Sequence, residues 1–235
     1  MANEKFEFKI RPKGRSFMSW QFSVFARLGT LMSMLVIPAI CPAASVLFSN
    51  FGAGSSYNTS QGNTVGNAFD GNDYAEGDTF VLTGNATFNS LSIALSCFAT
   101  CKDPFTVSLT KDAGDQPGTT IESFIVSPGS LGTLGSNNPP LLLNSVLDPK
   151  LTGGTRYWIT VKADLNDSID WNLNSTGDTA DEAISQDDGA TWFSPSGNTP
   201  GAFAISATIP EPGSIGLLLS SGLLLGLVRR VRARR

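Results

Sequence analysis

Histidine is absent from all 235 residues of this chain. Neither a Ser-His-Asp or Cys-His nucleophilic arrangement nor a His-ligated metal centre can be built without it. Cysteine is scarce as well: Cys41, Cys97 and Cys101 supply too few thiolates for a zinc site. Basic residues are few where the chain looks foldable. Between positions 45 and 209 only Lys102, Lys111, Lys150, Arg156 and Lys162 face seventeen Asp and Glu, a net charge of −12. The whole-chain value of −4 hides this imbalance, because the other eleven basic residues lie at the two ends. Such a body lacks the basic footprint of a nucleic-acid binder. It suits a soluble exported domain, or one that gathers cations. Carboxylates are numerous enough for glycoside hydrolysis, but spacing favours no pair of them, and the chain reads as a non-enzyme.

The N-terminal end carries Lys5, Lys9, Arg11, Lys13, Arg15 and Arg27, then an apolar stretch over 28–40, then Cys41-Pro42-Ala43-Ala44-Ser45. That order is the secretory signal-peptide pattern. The apolar stretch falls short of the roughly 20 residues of a membrane span. Cleavage is expected just after Ala43, Ala44 or Ser45, which makes 1–45 a signal peptide. The long basic region makes Met18 a second candidate start. Pro38-Ala39-Ile40 before Cys41 lacks the small residues of a lipid-attachment site.

Residues 46–209 are long enough for one domain and show no helical period. Short alternations mark strands instead: Phe88-x-x-Leu91-x-Ile93-x-Leu95, Phe105-x-Val107-x-Leu109, Tyr157-x-Ile159-x-Val161, Ile169-x-Trp171-x-Leu173 and Phe203-x-Ile205-x-Ala207. Segments 79–82, 121–126 and 141–146 read as further strands. Gly77-Asp78, Pro117-Gly118, Pro128-Gly129 and Gly153-Gly154 read as the turns between them. Asn137-Asn138-Pro139-Pro140 reads as an exposed loop. The expected architecture is all-β, a single jelly-roll-like β-sandwich.

Three local features stand out within it. Cys97 and Cys101, in CFATC, read as a disulfide closing a small loop. Ser185, Asp187, Gly189, Thr191 and Trp192 match S-x-D-x-G-x-T-W and resemble the Asp-box of sialidase propellers and other β-proteins. Occurring once, the motif implies a structural hairpin and no propeller: Asp accepts backbone N–H groups across the turn, and Gly allows a positive φ. Asp70, Asp73, Glu76 and Asp78 cluster before a strand and are candidate calcium ligands, although EF-hand spacing is not met and a solvated turn explains them as well. Trp158 alternates out of phase with Tyr157, Ile159 and Val161. It is expected to face away from the core, either open to stack on a sugar or covered by a loop.

The C-terminal end is the most specific feature. Pro210-Glu211-Pro212 precedes sixteen apolar or small residues over 213–228, followed by Arg229, Arg230, Arg232, Arg234 and Arg235. Sixteen residues rise about 24 Å as a helix, slightly short of a roughly 30 Å hydrocarbon core, a mismatch that snorkelling arginines absorb. The arginines favour a cytoplasmic C-terminus, and the signal peptide sends 46–209 to the opposite side. The prolines discourage helix before Gly213 and leave an extended processing site.

This tail resembles the PEP-CTERM sorting signal of Gram-negative bacteria. The resemblance implies recognition and processing near the motif by an exosortase in the inner membrane, in biofilm- or exopolysaccharide-forming hosts. The body resembles the choice-of-anchor R type of extracellular domain. The matching pieces are Tyr57-Asn58-Thr59-Ser60, Val107-Ser108-Leu109 with Gln116-Pro117-Gly118, Gly154-Thr155-Arg156-Tyr157-Trp158, and the Asp-box with Gly201-Ala202-Phe203. Neither resemblance brings an activity. The expectation is an exported surface or extracellular-matrix structural or interaction protein, with no cofactor apart from the calcium candidates. Its implied partners are exosortase and the secretion machinery, the inner membrane transiently, and exopolysaccharide, but no nucleic acid. The alternative is a carbohydrate- or calcium-binding module on the same scaffold.

Overall fold

The computed structural model describes residues 44–66, 71–99, 101–164, 166–195 and 197–210. The described residues all lie within Pro42–Arg235, the second of the two units into which the chain divides. The signal peptide up to Ala43, Cys41, Asp70, Glu211, Pro212, the 213–228 segment and the terminal arginines lie outside them. Among the described residues no helix is long and apolar enough to cross a membrane.

The body is all-β, with two three-residue 3-10 turns as its only described helical elements. Fourteen strands form three sheets. The first contains β1 (Ser45–Ser49), β14 (Phe203–Thr208), β4 (Ala86–Ile93), β9 (Leu141–Asn144) and β10 (Lys150–Leu151), with β9 and β10 both paired to β4. The second runs β13 (Glu182–Ser185), β3 (Ala75–Val81), β11 (Arg156–Lys162), β6 (Phe105–Asp112), β7 (Pro117–Val126). The third runs β2 (Gly62–Gly66), β12 (Ser168–Asn172), β5 (Leu95–Cys97), β8 (Gly132–Thr133). All pairings are antiparallel except β5 with β8. Backbone bonds Ala94 N to Ala202 O, Asn172 N to Ala94 O and Ala202 N to Asn172 O stitch the first sheet to the third.

The side-chain pattern follows from what each face meets. On β4 the buried residues are Ala86, Phe88, Leu91 and Ile93. The slip in that spacing is a bulge: Phe88 pairs with Ala207 and Ser90 with Ser206, leaving Asn89 as the extra residue. One continuous apolar cluster draws on all three sheets, including Phe80, Phe105, Ile159, Ile169, Trp171, Phe203 and Ile205. Burying each such side chain contributes about 1.5–3 kcal/mol. Its aromatic members interlock: Phe203 lies 4.9 Å from Phe48 and 5.8 Å from Trp171, and Phe80 lies 5.7 Å from Tyr157. Gly201 sits where a Cβ would come within 2.3 Å of the Trp171 indole nitrogen, so the strand before β14 can pass over that ring only as glycine.

Two expected turns are strand instead. Gly77-Asp78 lies inside β3, and Pro117-Gly118 opens β7, the actual turn being closed by Ala113 N to Gln116 O. Gly77 is tightly packed there, since a Cβ would meet Pro117 Cγ at 3.0 Å. Pro117 donates no hydrogen bond and is tolerated at the first position of the edge strand β7. Gly153-Gly154 does turn, with Gly154 at φ 72°. The expected strand over 141–146 ends at Asn144, because Ser145, Val146 and Leu147 bend around the Glu122 carboxylate, which accepts a bond from each.

Candidate functional site

The Asp-box closes as a hairpin. Ile184 and Phe193 exchange backbone bonds of 2.9 Å. Asp188 and Gly189 both take positive φ, 54° and 75°, as the central residues of a type I′ turn must. Asp187 accepts from Thr191 N at 2.8 Å, Thr191 Oγ1 at 2.7 Å and Ser185 Oγ at 2.7 Å. Ser185 Oγ in turn accepts from Gly189 N at 2.7 Å. The Thr191 hydroxyl, its N–H and the Ser185 hydroxyl hold the Asp187 carboxyl down at about 2. Trp192 is half-buried and lies 3.0 Å from where a Gly189 Cβ would stand. Asp187 and Ser185 thereby tie 185–191 into one closed turn, which is what a structural hairpin requires.

The calcium candidates separate. Asp70 lies outside the described residues. Asp73 joins the Asp-box from the side, donating its N–H to Gln186 O and accepting from Asp188 N. Burial, then the charges of Asp188 and Asp164, raise its carboxyl, and Lys162 opposes them. Glu76 and Asp78 instead point inward from β3, opposite Val161 and Ile159 of the core. Among the described residues no group of three or more His, Cys, Asp or Glu side chains could hold a metal ion. Residues 75–81 are strand, and strand alternation sends Glu76 and Asp78 into the interior, away from Asp73.

Inside, these two meet an acid that sequence reasoning missed. Glu182 of β13 stands directly opposite Asp78, on the same face. Glu76, Asp78 and Glu182 are at most 4% exposed. Asp78 Oδ2 accepts from Gly201 N at 2.7 Å, and Glu182 Oε1 accepts from Asn63 Nδ2. Glu76 Oε2, Asp78 Oδ1 and Glu182 Oε2 are buried without a donor. Burial, followed by the charges of Glu182 and Asp78, pushes Glu76 well above the ordinary carboxylate range. Burial and then Glu182 do the same to Asp78 against the opposing Gly201 N–H. Burial also raises Glu182, while bonds with Asn198 and Glu76 hold it down. The cluster therefore holds its protons more firmly than exposed carboxyls do, with Glu76 in hydrogen-bonding reach of Glu182. No sequence signal marks Glu182, which lies 104 residues after Asp78; only the β3–β13 pairing joins them.

Trp158 does face away from the main cluster, yet it is fully buried. Its Nε1 donates to Asp112 Oδ1 at 2.8 Å, and its ring lies beside Gly77 next to Pro117. Gln116 Nε2 to Trp192 O and Ser194 Oγ to Asp115 O fasten the segment after the Asp-box to the β6–β7 turn. Trp158 thus belongs to a packed outer layer and offers no sugar-stacking face. Cys97 and Cys101 form a disulfide, as expected. Pro210, the described member of Pro210-Glu211-Pro212, is exposed just beyond β14. No family model, no curated protein and no solved structure matches the chain.

Proposed function

We propose that this chain is an exported surface or extracellular-matrix structural or interaction protein, sorted through a PEP-CTERM-like tail and processed by an exosortase. Its body is a jelly-roll-like β-sandwich in which the stitched first and third sheets form one layer and the second sheet the other. The observation that carries the reading is the Cys97–Cys101 disulfide within the acidic body, since such bonds persist in oxidising compartments outside the cytoplasm. The adjacency of the two ends supports it: β1 pairs with β14, Ser45 facing Ala207, so leader and tail attach at one sheet edge. Ile209 is 52% exposed and Pro210 is exposed too, beyond the last strand. A cut beside them leaves the core untouched. The body then has the fixed hairpins and closed core of a scaffold that presents its surface to partners.

Fractionation of producing cells tests this, using the full chain and a version ending at Pro210. The full chain is expected in the membrane and surface fractions, and the shortened chain in the medium or periplasm, each with Cys97 and Cys101 oxidised. Recovery of either in the cytosol with both thiols free contradicts the proposal.

A further inference from the structure

Three of the body's five basic residues line one hollow of about 460 Å³, in a domain that is otherwise strongly acidic. Lys111 at the end of β6, Lys150 of β10 and Arg156 of β11 converge there with Asp112, Thr152, Thr155 and Tyr157. The pairing of Tyr157 with Lys111 and the 152–155 turn between β10 and β11 bring them together. The floor is rigid. Thr152 N donates to Tyr157 Oη at 2.9 Å, Gly153 N to Asn85 Oδ1 at 2.9 Å and Gly154 N to Leu82 O at 2.8 Å.

The charges of this hollow are not all spent. Arg156 is: it pairs with Asp115, with Asp181 at 3.2 Å and with Asp112 at 3.9 Å. Lys111 and Lys150 have no carboxylate within ion-pairing distance among the described residues, although the body carries seventeen acids. Lys150 Nζ is held by Thr87 Oγ1 at 2.6 Å, which leaves two of its three donors for another acceptor. Thr152 and Thr155 are exposed, and their hydroxyls bond to none of the described residues.

We propose that this hollow is an anion-binding site whose ligand is a single acidic sugar residue. Lys111 and Lys150 would grip the carboxylate, and the Thr152 and Thr155 hydroxyls would bond to the ring hydroxyls. The net charge of the body does not forbid this, because at physiological ionic strength charges beyond about 8 Å are largely screened and the nearby pair dominates. The sugar as carrier of the anion rests on the reading of the chain as an extracellular protein; the anion site itself does not. Calorimetric titration of the protein recovered from cells with trigalacturonate, neutral galactotriose and inorganic phosphate decides it. Trigalacturonate is expected to bind, galactotriose not, and phosphate at least about tenfold more weakly than trigalacturonate. The double change Lys111→Gln and Lys150→Gln is expected to weaken trigalacturonate by about tenfold or more. Lys102→Gln, an exposed lysine outside the hollow, should leave it unchanged. Absence of both trigalacturonate and phosphate binding overturns the site, as does equal affinity in the double variant with an unchanged near-ultraviolet spectrum; absence of trigalacturonate binding alone overturns the sugar assignment. Phosphate binding as tightly as trigalacturonate overturns the sugar assignment. None of these outcomes bears on export, which fractionation measures separately.

Discussion

Replacing Asp78 by Asn is expected to stabilise the protein at neutral pH and not in acid. Asp78 sits in the core with one oxygen on Gly201 N at 2.7 Å and the other without a donor. Its folded pKa is pushed well above the usual range, burial first and Glu182 second. A carboxyl raised in this way binds its proton more readily folded than unfolded. Its proton-linked stability is therefore complete below the unfolded value of about 3.9 and is lost as pH rises towards the folded value. Within that window the wild type loses about 1.4 kcal/mol per pH unit at this one site. The amide does not titrate. Its oxygen keeps the Gly201 bond, and its NH₂ faces Glu182, the residue directly opposite, whose Oε2 is without a donor. Satisfying such a group contributes about 1–3 kcal/mol. Urea unfolding of both proteins at a series of pH values from 3 to 8, disulfide intact, measures the difference. Variant minus wild type should be small near pH 3 and grow steadily above pH 4. A difference that is flat with pH, or a variant less stable at pH 8 than at pH 3 relative to wild type, refutes the account of a protonated interior cluster.

Three further outcomes follow from the packing. Gly201→Ala places a methyl on the Trp171 ring and should destabilise by about 1–3 kcal/mol, read as a lower urea midpoint. Changing Cys97 and Cys101 together to Ser should cost about 2 kcal/mol, the closure entropy of so short a loop, with the circular-dichroism spectrum retained. Asp187, held at about 2, contributes its hairpin stabilisation fully above its unfolded value near 3.8 and loses it as pH falls through about 2. The protection of the Thr191 amide, its exchange rate relative to the intrinsic rate at the same pH, should accordingly fall below pH 3 and stay constant above pH 5.

The parts legible in the sequence were those decided locally. Tyr157, Ile159 and Val161 alternate because one face of β11 meets the core, and the side chains of Ser185, Asp187 and Thr191 bond to one another within the Asp-box. The strands β2 and β13 escaped notice because they break the rule that apolar residues mark the inner face. In β2, GNTVG turns Asn63 inward to Glu182, and in β13, EAIS buries Glu182 itself. Gly77-Asp78 looked like a turn for the same reason, an interior acid beside a glycine packed against Pro117. The outward phase of Trp158 could be read from its neighbours; its burial could not, since Asp112 and Pro117, which lie against it, are more than 40 residues away along the chain. The pairing of β1 with β14 joins segments more than 150 residues apart and leaves no local trace.

The central claim, that this is an exported body freed from both of its ends, is tested most directly by the intact mass of the protein recovered from the cell surface or medium. The account predicts a chain beginning just after Ala43, Ala44 or Ser45 and ending near Pro210-Glu211-Pro212, two hydrogens lighter than its reduced form because Cys97 and Cys101 are joined. A mass that still includes the five terminal arginines contradicts the processing, and one that also retains the basic N-terminus contradicts the export.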